Sequence, residues 1–232
     1  MDLLGEPMLA RQIERINRSR LINKLLVATS DDPSDSPLAE LCERLHVECH
    51  RGSLDDVLDR FYQAAVTHDP DTIVRLTGDC PLADPQVIDN VIRAFLNSEA
   101  DYLSNCLEPS FPDGLDVELF SFEALRSAWE NGTLKSEREH VTPYITGHLE
   151  KFKLANYSND QNLSHLRWTV DEPEDFEFVR AVYERLYERN PRFGMSDILA
   201  LLESDPQLGR INTGFKRNEG LAKSLAEDEV LE

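Results

Sequence analysis

Short apolar runs alternate along the chain with stretches whose apolar residues recur at helical spacing, the rhythm of repeated strand and helix units. Met8, Leu9, Ile13 and Ile16 mark a helix over 7–18, and Leu25 to Thr29 follows as a buried strand stopped by Ser30-Asp31-Asp32-Pro33. A second helix over 35–45 leads to a short strand over 47–49. Arg51-Gly52-Ser53 then turns into a helix with Leu54, Val57, Leu58, Phe61 and Ala65 on one face and Ser53 as its N-cap. Thr72 to Leu76 is β-branched and apolar, as a strand covered on both faces should be, and Gly78 and Pro81 end it. The pattern goes on to predict a helix over 85–97, a strand over 101–104, and an irregular loop around Pro109, Pro112 and Gly114. Next comes a half-buried strand over 115–120, whose strict alternation puts Asp116 and Glu118 on one face. Helices over 121–130 and 136–148, strands over 152–157 and 165–170, and a helix bearing Phe176, Val179, Val182, Tyr183 and Leu186 complete it. The fold class is α/β, an open, mostly parallel sheet with helices on both faces.

Two aspartates stand where such a sheet keeps its ligand, directly beyond the carboxyl ends of strands. Asp79 follows the strand over 72–76 in RLTGDCPLADP, and Asp171 follows the strand over 165–170 in RWTVDEPED. Either alone reads as a turn or cap residue. Together they form a pair that Mg2+ could bridge, because magnesium takes one or two protein carboxylates and completes its octahedron with water and phosphate oxygens.

Composition narrows the partner. The 232 residues are 41% hydrophobic and carry 44 acidic against 24 basic side chains, a net charge of −20. That balance disfavours nucleic acid and anionic membrane surfaces and leaves a small molecule as the expected partner. No apolar run reaches the length of a membrane span, and no basic-then-apolar leader opens the chain, so the expected location is cytoplasmic. Cys42, Cys49, Cys80 and Cys106 have no CxxC spacing and read as reduced thiols.

RLTGDCPLADP at 75–85, FPDGLDVELF at 111–120, SEREHVTPYI at 136–145 and LRWTVDEPEDFE at 166–177 resemble the cytidylyltransferase-like family of spore-coat polysaccharide biosynthesis protein F. RGSLDDVLDRF at 51–61 supports the likeness. More distantly the chain is similar to the enzymes that make CMP-activated acidic sugars. The resemblance implies a Rossmann-like sheet of the nucleotide-diphospho-sugar transferase type, and transfer of CMP from CTP to a sugar with release of pyrophosphate. It implies Mg2+ on Asp79 and Asp171 as metal ligands and catalytic residues, and Arg51, Gly52 and Ser53 at the nucleotide base. A homodimer formed through residues corresponding to about 115–160 is implied as well. Arg75 reads either as a phosphate contact or as the partner of an acid. Asp113, Asp116 and Glu118 read either as acceptors for sugar hydroxyls or as solvated acids. His140 reads as a substrate contact or as a packing histidine, and Trp168 as core.

Relatives carry a first strand and a glycine-containing basic loop that wraps the phosphates, and neither is found before Met8-Leu9 here. The expectation is therefore an N-terminally truncated α/β domain over 1–211, a polar extension over 212–232, and a missing first central strand. The remaining sheet would be damaged or re-paired across the gap, and CTP would bind poorly. A nucleotide-sugar-dependent glycosyltransferase and a non-catalytic binding protein stand as the other readings.

Overall fold

The computed structural model describes residues 1–215 and 217–230. A hairpin of β1 (Asp2–Leu3) and β2 (Glu6–Pro7) leads into α1 (Met8–Ile16), β3 (Leu26–Ser30), α2 (Ser36–Arg44), β4 (Glu48–Gly52) and α3 (Val57–His68). Next come β5 (Thr72–Arg75), α4 (Pro85–Leu96), β6 (Tyr102–Ser104) and β7 (Glu118–Ser121). The chain then runs through α5 (Phe122–Asn131), α6 (Lys135–His140), α7 (Pro143–Gly147) and β8 (Leu154–Asn156). It closes with α8 (Pro173–Leu186), α9 (Met195–Ser204) and α10 (Glu219–Ala226).

The main sheet has the order β5-β7-β6-β8, with β7 antiparallel to both neighbours and β6 parallel to β8. β5, β6 and β8 therefore share one direction, and β7 is the reversed strand in an otherwise parallel arrangement. Its direction follows from its connection: the chain returns from β6 through a loop without a crossover helix, which permits only an antiparallel neighbour. Asn105 ties that loop, donating to the Leu115 carbonyl at 2.8 Å and accepting from the Val117 amide at 2.8 Å.

β3 and β4 form a separate parallel pair, from Leu26 opposite Glu48 to Ser30 opposite Gly52. No ladder joins β3 to β5 among the described residues. Among the described residues the sheet is thus divided at this point, and β3 and β5 are not re-paired with each other. Three residues of β3 and all four of β5 are only half-buried, whereas Glu118 to Phe120 of β7 are buried on both faces.

Two apolar clusters cover the main sheet. Leu103 and Leu119 face one of them, with Ile88, Val91, Trp168, Phe178 and Val182; Tyr102 and Phe120 face the other, with Leu58, Leu125 and Ile145. This corrects the half-buried strand expected over 115–120. The polar position at Glu118 is buried, and the alternation came from an acid paired inside the protein. Three further expectations change. The segment 165–170 is not a strand and forms only an isolated bridge, Asp113 to Arg167. The helix expected over 136–148 breaks at Val141, where φ is +71°. α3 starts at Val57, capped by Asp56 accepting from the Asp59 amide at 2.9 Å, while Ser53 caps only the preceding turn.

Among the described residues, amides of β5 that point away from β7 have no ladder partner, and neither do those of β3 that point away from β4. Hydrogen exchange read residue by residue should alternate fast and slow along both strands, while β7, paired on both edges, is slow throughout. Uniform slow exchange in β3 and β5 would contradict the divided sheet.

Candidate active site

The turn after β5 is held from below. Arg15, 1% exposed, donates from Nε to the Ala83 carbonyl at 2.8 Å, Tyr183 Oη to the Pro81 carbonyl at 2.8 Å, and Gln12 Nε2 to the Thr77 carbonyl at 2.6 Å. Asp84 caps α4 and also accepts from the Met195 amide at 2.6 Å. With its backbone carbonyls engaged, the turn presents Asp79 at the wall of a cavity of about 740 Å³.

Asp171 reaches the same wall from a second turn, and the two are stitched together. The Val170 amide donates to the Asp79 carbonyl at 2.9 Å, and Thr169 Oγ1 donates to Asp79 Oδ2 at 3.2 Å. Across the same strip, the Trp168 amide donates to the Asp113 carbonyl at 2.6 Å. Gly114, at φ +100°, permits this approach: a Cβ there would lie 2.5 Å from the Thr169 nitrogen. Trp168 is core, as its sequence position suggested.

Arg167, absent from the sequence-based candidates, organises this region. Its guanidinium donates to Asp175 at 2.9 Å, to Asp113 at 3.2 Å and to Asp171 at 2.6 Å. Burial alone would lower its pKa, but the hydrogen bonds and charges of Asp175 and Asp171 outweigh that and raise it. Positions 167, 171 and 175 are four apart, but only Asp175 of the three lies in a helix, so this spacing does not by itself signal their contact.

Of the other candidates, Arg75, Asp113, Asp116, Glu118 and His140 all line the cavity, but with different freedom. Arg75 is ion-paired to Glu118, whose second oxygen accepts from Tyr102 Oη at 2.6 Å and Thr142 Oγ1 at 2.8 Å. Burial pushes Glu118 up, yet Arg75 and the two hydroxyls together hold it below the usual carboxylate range. His140 hydrogen-bonds Ser224 at 2.9 Å through Nε2, and burial lowers its pKa. Arg51, Gly52 and Ser53 lie apart from the cavity wall. Arg51 instead donates to the carbonyls of Ser30 and Asp32, both at 2.9 Å.

Among the described residues no three His, Cys, Asp or Glu side chains are placed to cage a metal ion. A cation here would draw on one or two carboxylates and leave its other positions to water or substrate, which is the habit of magnesium. Asp171, its side chain 54% exposed, and Asp79 fit that donor set. No described helix is long and apolar enough to cross a membrane.

Sequence comparison matches residues 1–195 to the profile of a family described as Cytidylyltransferase. The chain belongs to the cytidylyltransferase family. It is 30% identical to the spore coat polysaccharide biosynthesis protein SpsF of Bacillus subtilis, over 84% of this chain and 82% of that one. An uncharacterized protein of Methanocaldococcus jannaschii is 35% identical over 88% of this chain and 83% of its own. Among solved structures, a cytidylyltransferase from Leptospira borgpetersenii superposes with a TM-score of 0.87 at 30% identity, covering 93% of this chain and 91% of that one. CMP:2-keto-3-deoxy-manno-octonic acid synthetase shares the fold at a TM-score of 0.60 and 13% identity, over 80% and 90% of the two chains. This is the Rossmann-like nucleotide-diphospho-sugar transferase fold.

The cytidylyltransferase holds one carboxyl well away from its usual range. Burial raises Asp116 from 3.8 to about 6, although Arg217 opposes the rise. Between about pH 4 and 6 the folded state keeps a proton that the unfolded chain has lost, so this group's contribution to stability falls as pH rises through that window and levels off above it. Carboxyl NMR should place the Asp116 midpoint near 6, and urea denaturation of Asp116→Asn should lack the slope. An ordinary midpoint near 3.8 would contradict the burial argument.

Proposed function

We propose that this cytidylyltransferase activates a sugar for surface or spore-coat polysaccharide synthesis, converting CTP and the sugar to a CMP-sugar and pyrophosphate. The observation that carries the reading is the convergence of Asp79 and Asp171 on one cavity wall, stitched by the Val170 amide at 2.9 Å from the Asp79 carbonyl. The family, and the names of relatives that work in polysaccharide biosynthesis, supply the substrate class.

Asp79 and Asp171 would hold Mg2+, which when bound neutralises phosphate charge. The chain's own part is placement. Asp113 and Asp116 line the cavity beside the aspartate pair and accept hydrogen bonds from sugar hydroxyls in this reading. With a pKa of about 6, Asp116 is ionised at neutral pH and is a fitting acceptor for the attacking hydroxyl's proton. Glu118 orients Arg75 and Thr142 toward the cavity, since both of its oxygens are already engaged. The proposal extends to a cytoplasmic enzyme working as a homodimer, on the family likeness stated above.

A pyrophosphate-release assay with CTP, Mg2+ and a panel of sugars tests it. Asp79→Asn and Asp171→Asn should each lower release by on the order of 100-fold. Their melting midpoints should stay within about 4 °C of the parent, because neither side chain sits in the apolar core. Undiminished release in either variant, or none from the parent with any sugar, would refute the reading.

A further inference from the structure

The polar tail does not trail away from the protein. Its inward line is Arg217, Leu221, Ser224 and Asp228, of which Leu221 and Ser224 lie in α10, and no described residue of 217–230 is fully buried. Three of these four side chains are polar, so the segment is held by discrete latches and not by a core.

One latch is at the site. Arg217 pairs with Asp116, lies 3.8 Å from Asp113 through Nε, and donates to the Phe111 carbonyl at 3.3 Å. The other is some eleven residues on. Asp228 accepts from the Ser136 amide at 2.9 Å and hydroxyl at 2.7 Å, and the Lys135 amide donates to the Glu229 carbonyl at 2.9 Å. Between the latches, Asn218, Leu221 and Leu225 form part of the cavity wall. On the near side, Asn212 is anchored, donating to the Arg167 carbonyl at 2.9 Å and to Asp175 at 2.8 Å. Gly214 stands just beyond that anchor at φ +108°, with nothing within 4 Å of where a Cβ would be. An anchored base, an uncrowded glycine and polar latches at Arg217, at Asp228 and, between them, at Ser224 on His140 describe a hinged cover.

We propose that residues 217–230 are a lid on the sugar side of the cavity, which opens as a unit to admit ligand and closes by latching Arg217 onto Asp113 and Asp116 and Asp228 onto the start of α6. Only the identity of the guest rests on the function proposed above. The lid itself can be read in the protein without ligand.

The cysteines supply a built-in reporter. Cys106 lines the cavity, Cys42 is 0% exposed in the body of the protein, and Cys49 lies outside the cavity. Alkylation by N-ethylmaleimide, followed site by site by mass spectrometry, compares the parent with Asp228→Ala and Ser136→Ala. Arg217 is left in place because its charge acts on the Cys106 thiol. Loss of hydrogen bonds to a carboxylate should raise the open fraction, and with it the Cys106 rate, by about tenfold. Cys42 and Cys49 should keep their parent rates. Unchanged Cys106 rates in both variants overturn the proposal, as does parallel acceleration at Cys42, which would mean global unfolding. Adding Mg2+, CTP and the sugar panel to the parent should slow Cys106. Latch effects without that slowing uphold the lid and count against the nucleotide reading.

Discussion

One guanidinium holds the site together. Arg167 joins the loop carrying Asp113, the turn carrying Asp171 and the first turn of α8 through Asp175, and its side chain is only 10% exposed. Ions withdrawn from water this far are tolerable only when charges and hydrogen bonds close around them. Here Asp175 completes the set, accepting as well from the amides of Asp171 and Glu172 and from Asn212. The segment over 165–170 needs no regular ladder because this cluster, with the backbone bonds from Trp168 and Val170, fixes it. The position of Asp171 relative to Asp79 follows.

The remaining charges follow the same logic. Arg75 and Glu118 cancel each other inside the wall, and Arg217 balances Asp116 from the tail. The cavity's arginines are therefore spent on the protein's own acids, and the wall stays acidic. A triphosphate entering such a cavity needs cations that come with it, which agrees with the proposal that half-buried Asp79 and exposed Asp171 would hold magnesium. The absence of a ladder between β3 and β5 among the described residues belongs to the same picture, because it divides the sheet beside the turn that bears Asp79.

That Asp79 and Asp171 reach one cavity wall was legible in the sequence, because each stands on a turn that directly follows an apolar run. GDCP and TVDEP each coupled an apolar run to a turn. Arg167 was not legible in that way, since a strand arginine carries no local signature and its three partners come from three segments. Glu118 misled for a related reason: period-two polarity reads as solvent exposure, whereas its partners Arg75, Tyr102 and Thr142 arrive from elsewhere in the chain. Ser53 had the residue type of a cap, but Asp56 offers the same chemistry three residues later and takes the position. The tail's composition gave polarity without destination, and only the fold brings Arg217 to Asp116.

In the proposed mechanism Asp79 and Asp171 act on one cation. Its most direct test is a double-mutant cycle on Mn2+ affinity, read by water-proton relaxation with CTP present, for the parent, Asp79→Asn, Asp171→Asn and the double variant. If both carboxylates serve one ion, either substitution removes most of the affinity and the double variant loses little more. Losses that simply add would place the two aspartates in separate sites and contradict the account.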